Sequence, residues 1–278
     1  MRKALASLVV LLAIPSLARA GGVELSGFAG YTFPFYSQTF AYGPGPVSVP
    51  ITGVSIQQSG QFDLTASGGL AAGGALTLYP AEGIGFEIRY DRASIDLKPG
   101  AATFDVNMTL PAGLDPVKTS LTLDEGTGEL STSAPLSLNL KLRTTGSTKL
   151  FASGGLSRLG ALDLTLSLPV AIGVTAINLQ TGNLEIGTIE LRAKGTPDSS
   201  WGGNLGVGVQ IPLGEHGGLV LEGRGFYFPK QTYEWEPVID TPLGAVPSEL
   251  LNRVLDSLDP VEFKPWWVQA TIGVSYRF

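Results

Sequence analysis

The chain of 278 residues contains no cysteine, one histidine and two methionines. Without a thiol there is no disulfide framework, no Cys-ligated metal and no cysteine nucleophile. A single imidazole, His216, confines histidine-dependent acid–base chemistry to one place in the sequence. Long apolar runs are missing too. Beyond the N-terminus each is interrupted by Gly, Ser, Thr or a charge within a few residues. A helical membrane protein, which needs about 20 consecutive apolar residues per span, is therefore excluded. Positive charge is also in the minority, with 18 Lys+Arg against 24 Asp+Glu and a net charge of −6. No basic stripe of the kind that phosphate backbones require is present, which excludes nucleic acid as a partner.

The N-terminus reads as a processing signal. Arg2 and Lys3 precede an apolar run from Ala4 to Ile14, Pro15 breaks it, and Ala18-Arg19-Ala20 supplies the small-x-small pattern of a cleavage site. The run is about half the length a membrane anchor needs. Residues 1–20 are thus expected to be a signal peptide for Sec-type export, cleaved after Ala20, leaving residues 21–278 as one large domain. Removing Arg2, Lys3 and Arg19 takes the net charge from −6 to −6 − 3 = −9.

What is abundant is alternation with a period of two, in eight segments. In the last, Val268, Ala270, Ile272, Val274, Tyr276 and Phe278 share one face, while Gln269, Thr271, Gly273, Ser275 and Arg277 share the other. The same two-faced pattern occurs over 23–32, 70–78, 84–91, 149–157, 204–211 and 219–227, and most plainly where Leu136, Leu138, Leu140 and Leu142 alternate with Ser137, Asn139, Lys141 and Arg143. Each is about ten residues, enough for a tilted strand to cross a bilayer. A soluble β-sandwich also alternates, and two further features distinguish the alternatives. Charges in these segments all fall opposite the Leu/Val/Ile face. Short turns (80–83, 144–148, 212–217) alternate with long connections (roughly 34–66, 95–134, 158–200 and 229–264). Short periplasmic turns and long extracellular loops belong to a transmembrane barrel, and a sandwich has no reason to sort its loops so. The expected fold is all-β, a closed antiparallel transmembrane β-barrel of 8 strands in a Gram-negative outer membrane. Further alternating stretches at Thr103–Leu110, Leu162–Leu168 and Leu184–Leu191 are read as extensions above the membrane, or as extra spanning strands making 10–12. Aromatics at strand ends (Tyr31, Phe33, Tyr79, Tyr90, Tyr227, Phe228, Trp266, Phe278) fit interfacial girdles.

The stretches Gly27-Phe28-Ala29-Gly30-Tyr31, Gly73-Gly74-Ala75-Leu76-Thr77-Leu78-Tyr79-Pro80, Gly85-Phe86-Glu87-Ile88-Arg89-Tyr90, Gly223-Arg224-Gly225-Phe226-Tyr227 and Ile272-Gly273-Val274-Ser275-Tyr276-Arg277-Phe278 resemble the eight-stranded barrel family of outer membrane protein A and its opacity-type relatives. The resemblance covers the strands and not the long connections. It implies architecture and no particular activity. It also implies that Ile272, Val274, Tyr276 and Phe278 act as the C-terminal signal for the barrel-assembly machinery.

The inward phase carries Glu24, Glu87, Asp91 and Glu222 with Arg89, Lys141, Arg143, Lys149, Arg224 and Arg277. Two readings stand: a charged passage, or an ion-pair plug filling a barrel whose interior is only wide enough for its own side chains. The second is the expectation. His216 falls in a short turn, on the wrong side for surface catalysis. Asp124-Glu125-Gly126 reads as an acidic turn without a calcium loop's spaced ligands, and the glycine pairs at 68–69, 73–74 and 154–155 make no phosphate-binding fingerprint. No catalytic, metal or cofactor residue is expected. Leu250, Leu251, Val254, Leu255 and Leu258 recur at helical spacing after Ser248, a short helix packed on the rim or a lid for a partner. The functional expectation is a non-enzymatic barrel, structural or binding a surface ligand through its long loops. A porin-like channel or carrier for small or hydrophobic solutes is the alternative, and a lipid-modifying enzyme the second. Outer-membrane lipid and the assembly machinery are the expected partners.

Overall fold

The computed structural model describes residues 22–43, 47–48, 55–110, 115–130, 133–178, 183–195, 197–238 and 248–278. The export signal read at residues 1–20 and its cleavage site lie outside these residues. In chain order the strands are β1 (Val23–Pro34), β2 (Ser37–Tyr42), β3 (Val47–Ser48), β4 (Ser55–Ala81), β5 (Ile84–Pro99), β6 (Ala101–Thr109), β7 (Val117–Glu125), β8 (Thr127–Leu130) and β9 (Leu136–Arg143). They continue with β10 (Lys149–Leu159), β11 (Leu164–Asn178), β12 (Asn183–Gly195), β13 (Ser200–Leu213), β14 (Gly217–Tyr227), β15 (Gln231–Pro237), β16 (Val261–Phe263) and β17 (Trp266–Arg277), with one helix, α1 (Ser248–Ser257), before β16.

Eight of these strands close a ring in the order β1-β17-β14-β13-β10-β9-β5-β4, and β4 pairs back onto β1. Every pairing in the ring is antiparallel. The closing pair runs from Val23↔Leu78 to Tyr31↔Leu70, and β1 meets β17 from Glu24↔Arg277 to Pro34↔Trp267. A closed ring leaves no strand edge without a hydrogen-bonding partner, the condition for spanning hydrocarbon. The outward phase is apolar and exposed, with Phe86, Ile88, Leu138, Leu156, Leu205, Val207 and Val274 all at least half exposed. That exposure would aggregate a water-soluble protein of this size. These are the eight segments whose alternation is visible in the sequence.

The ring is only the lower half of the molecule. Strand β4 has 27 residues, about 90 Å at ~3.3 Å per residue and some three times the hydrocarbon thickness. Above Gly68 it leaves β1 and pairs instead with β2, β3 and β6, and β6 adds β7 at the edge. The β4–β5 register shifts between Gly68 and Ala71, where the strands pass from ring to extension. A second sheet, ordered β16-β15-β12-β11-β8, packs on the first. Between the two lies an apolar core that includes Phe40, Phe62, Leu97, Phe104, Leu166 and Leu191.

Thr103–Leu110 therefore belongs largely to β6 in the extension, and Leu162–Leu168 and Leu184–Leu191 to the second sheet. None of them is a ring strand, and the count is eight rather than ten or twelve. Asp124 and Glu125 end β7 rather than forming a turn. Gly126 then carries the chain from one sheet into the other, because a Cβ there would run into the Ser167 carbonyl oxygen. Helix α1 lies against β2 and β11, with Val254 and, just past its end, Leu258 buried in the core; the side chains of Leu250 and Leu251 lie outside the described residues.

Candidate functional site: the filled lumen

Each inward position is set by the period of its strand, so the lumen's contents follow from which residues share the phase of Glu24, Glu87 and Arg224. Four acids (Glu24, Glu87, Asp91, Glu222) and four bases (Arg89, Lys141, Arg143, Arg224) are buried there, and their formal charges sum to zero. They pair in two tiers. Near the short-turn end, Lys141 Nζ lies 3.2 Å from Glu24 Oε1 and Arg143 Nη1 lies 3.3 Å from Glu24 Oε2. Gln210 donates to Glu24 Oε2 at 3.1 Å. Lys141 also reaches Glu87 Oε2 at 3.4 Å, which links this tier to the next.

In the middle tier, Arg89 grips Asp91 through Nε to Oδ2 at 2.9 Å and Nη2 to Oδ1 at 2.9 Å, with Nη1 on Glu222 Oε2 at 2.6 Å. Arg224 Nε donates to Glu222 Oε1 at 2.8 Å, and its Nη2 lies 3.3 Å from Glu87 Oε1. Arg224 also donates to Asn204 and Ser153. Forked guanidinium–carboxylate bonds of this sort fix orientation as well as charge. Lumen rings take up the remaining faces: the Arg89 guanidinium stands 3.8 Å from the Phe28 ring centroid and that of Arg143 stands 3.6 Å from Tyr79.

Above the ion pairs the lumen turns neutral and then apolar. Asn204 donates to Asn139 and to Ser157, both at 2.8 Å, and Ser137 and Ser157 share a 2.7 Å bond. Over them, Trp267 stacks between Phe226 and Phe228 with centroids 5.2 and 5.5 Å apart, and all three rings are buried under the cap. Between these layers the Gln269 amide and the Thr32 hydroxyl are buried without a hydrogen-bond partner among the described residues.

Of the ten inward charges read from the sequence, Lys149 and Arg277 stand apart from the eight. Both line a polar pocket of about 80 Å³ at the short-turn mouth, with Gln210, Glu215, His216 and Glu24 of the lower tier. The Arg277 guanidinium stands 5.7 Å from the Tyr79 ring centroid. His216 Nδ1 lies 3.1 Å from the Arg277 carbonyl oxygen. Two of the girdle aromatics are corrections. Tyr79 is in the lumen and Phe228 in the lid, whereas Tyr31, Phe33, Tyr90, Tyr227, Trp266 and Phe278 face outward. Phase alone separates them: Tyr79 alternates with Leu76 and Leu78, and so falls on the inward side of β4. Sequence reasoning missed the apolar lid. Its signal was Phe226, Phe228 and Trp267, three large rings on the inward phase at the external ends of β14 and β17. Among the described residues no cluster of metal-ligating side chains occurs.

The ends of β17 sit where Ile272, Val274, Tyr276 and Phe278 face outward in one row. The Phe278 amide donates to the Val23 carbonyl at 2.9 Å.

No protein-family model and no curated protein matches the chain. Among solved structures it is similar to the N-terminal β-barrel domain of Pseudomonas aeruginosa OprF, at 10% identity and a TM-score of 0.37 over 93% of this chain and 98% of that one. It is also similar to the outer membrane protein OprG from Pseudomonas aeruginosa, at 12% identity and a TM-score of 0.40 over 93% and 97%. A third is the outer membrane protease OmpT from Escherichia coli, at 10% identity and a TM-score of 0.37 over 92% and 97%. The eight-strand assignment rests on the pairing of this chain's own strands.

Proposed function

We propose that the chain is a non-conducting outer-membrane barrel that anchors and presents an external β-sandwich cap, with no catalytic role. The single observation behind this reading is the filling of the ring: eight buried charges that cancel, closed above by Trp267, Phe226 and Phe228. A ring of eight strands has room for its own side chains and little else. In this reading the apolar outer wall faces hydrocarbon, the short turns at 82–83, 144–148 and 214–216 face the periplasm, and the cap stands outside the cell. Export follows the Sec route with cleavage after Ala20. The row Ile272, Val274, Tyr276 and Phe278 engages the barrel-assembly machinery, and the cap's exposed surface carries whatever ligand the protein binds.

The test is electrical. The purified chain, reconstituted into a planar bilayer, is expected to give no discrete conductance steps. A stable open level in the wild-type chain would replace this reading with the porin-like one.

A further inference from the structure

Charge in the ring is held inside it, with two exceptions. Below the level of Gly68, where β4 leaves β1, the charged side chains on the outward faces of the ring are Arg92 of β5 and Arg158 of β10, whereas Asp63 of β4 and Asp96 and Lys98 of β5 lie on the exposed phase higher up, in the extension. Both are exposed, both are arginine, and both stand at the cap end. Arg158 registers with Leu136 on β9, and Leu136 registers with Tyr90, two residues short of Arg92. The two arginines therefore stand on either side of the β9 line, their backbone positions about 12 Å apart at ~4.8 Å per strand spacing and ~3.3 Å per residue. Trp201 registers with Arg158 on its other side and is exposed. Arg158 Nη2 donates to Ser199 Oγ at 3.2 Å. Among the described residues Arg92 has no ion pair.

Along β5 and β9 and the neighbouring β4, toward the short-turn end, the outer wall is concave. A groove of about 460 Å³ opens there, lined chiefly by Leu76, Leu78, Phe86, Ile88, Leu138 and Leu140. At ~3.3 Å per residue, Arg92 lies about 13 Å along β5 from Ile88. An apolar groove on the hydrocarbon side thus ends beneath a pair of cations at the level of the exposed Tyr90 ring. Guanidinium forks match phosphate oxygens, and arginine is weakly hydrated enough to work at such a boundary.

Resting on the membrane reading above, we infer that the outer face of β5, β9 and β10 is a docking surface for a phosphorylated lipid of the surrounding leaflet. The headgroup phosphate sits between Arg92 and Arg158, and an acyl chain lies in the groove. A protein partner fits less well. A second copy packed here about a twofold axis would set arginine against arginine.

The experiment uses the full folded chain in neutral detergent, with native mass spectrometry as readout. Dioleoyl phosphatidic acid is compared with dioleoyl phosphatidylcholine, and inorganic phosphate is added as a competitor. The wild type should retain phosphatidic acid in preference to phosphatidylcholine. Arg92→Gln with Arg158→Gln should cut that occupancy about tenfold, a change of ~1.4 kcal/mol, while Lys118→Gln in the cap leaves it unchanged. Leu138→Trp, which fills the groove, should weaken retention with both arginines in place. Equal retention of the two lipids, or unaltered retention in the double arginine variant, overturns the inference. Displacement by inorganic phosphate as readily as by lipid also overturns it, in favour of a bare anion site. If the double variant does not fold, the comparison of the two lipids on the wild type decides. Failure of the wild type to insert into vesicles sinks the membrane reading itself, whereas an inserted ring without lipid preference sinks only this inference.

Discussion

At the residue scale the lumen divides into groups that must stay and groups that need not. Arg224 touches two carboxylates, Glu87 and Glu222, and two neutral acceptors, Asn204 and Ser153. Arg224→Ala would leave both carboxylates buried with one cation fewer, and breaking a buried pair from one side costs about 3–5 kcal/mol. The expected outcome is a lower urea midpoint for the loss of heat-modifiable gel migration. A variant as stable as the wild type that conducts ions would mean that water replaces the arginine and that the lumen is wet. Gln269 argues the opposite way. Its amide is fully buried and both its polar atoms are without a partner among the described residues, so it contributes desolvation cost without a compensating bond. Gln269→Met keeps the volume and removes that cost. It should leave stability unchanged or raise it by about 1–2 kcal/mol, and a marked loss in the same urea titration would show that the amide is satisfied after all.

At the scale of elements the cap and the ring are held by different forces and should fail separately. The two cap sheets touch where β8 passes β5, and a Cβ at Gly128 would run into the Leu97 carbonyl oxygen. Gly128→Val should therefore part the sheets, opening the cap to protease while the ring keeps its heat-modifiable migration. Coincident loss of both would show a single cooperative unit. The cap also has a titration limit of its own. Burial pushes the Tyr42 hydroxyl up to about 12, and that oxygen accepts the Ala171 N–H across the core at 3.4 Å. A tyrosine whose folded value lies above its unfolded value of about 10 stabilises fully below the lower figure. That stability is lost as pH rises toward the upper one. Burial raises Tyr36 and Tyr233 in the same direction. Cap proteolysis should accordingly increase between pH about 10 and 12, and Tyr42→Phe should blunt the increase.

Across the whole molecule, charge is partitioned by compartment. Of the chain's 24 acids, four are in the lumen and two, Glu82 and Glu215, in short turns; of its 18 bases, three precede residue 21, four are in the lumen, and Lys149 and Arg277 are at the mouth. The remaining 18 acids and nine bases belong to the rim and the long connections of the sequence, so beyond residue 20 the excess of −9 is carried outside the lumen and the short-turn mouth. A ring without net internal charge can sit in hydrocarbon, and the acidic cap keeps the exposed end soluble. Closure is the other property of the whole. Strand β17 is bonded to both β1 and β14 along its length, so no ring exists until it docks. Deleting Phe278, which removes the amide bonded to Val23 and one outward aromatic, should lower the yield of assembled protein in outer-membrane fractions and leave unassembled chain behind. Undiminished assembly would detach the terminal aromatic from any recognition role.

The ring was legible in the sequence because a closed ring with an apolar outer wall imposes one period on every strand: apolar residues outward, charge inward, closure without an edge. Leu136 to Arg143 showed the alternation most plainly, the loop lengths separated a barrel from a sandwich, and the eight charges that meet in the lumen could all be placed on the inward phase. Who pairs with whom could not be read. Arg89 and Glu222 are 133 residues apart, and nothing in a strand's period names its distant partner. That Thr103–Leu110, Leu162–Leu168 and Leu184–Leu191 extend beyond the ring could be read, but their packing as two facing sheets could not, for a related reason. Two sheets packed on each other in water bury one face each, and β11, with Leu164, Leu166 and Leu168 inward, has the same alternation as a spanning strand. Only the tertiary structure separates them, because what differs is what lies on the other side of the strand: the open outer wall for Leu138, which is 58% exposed, and another sheet for Leu166, which is buried.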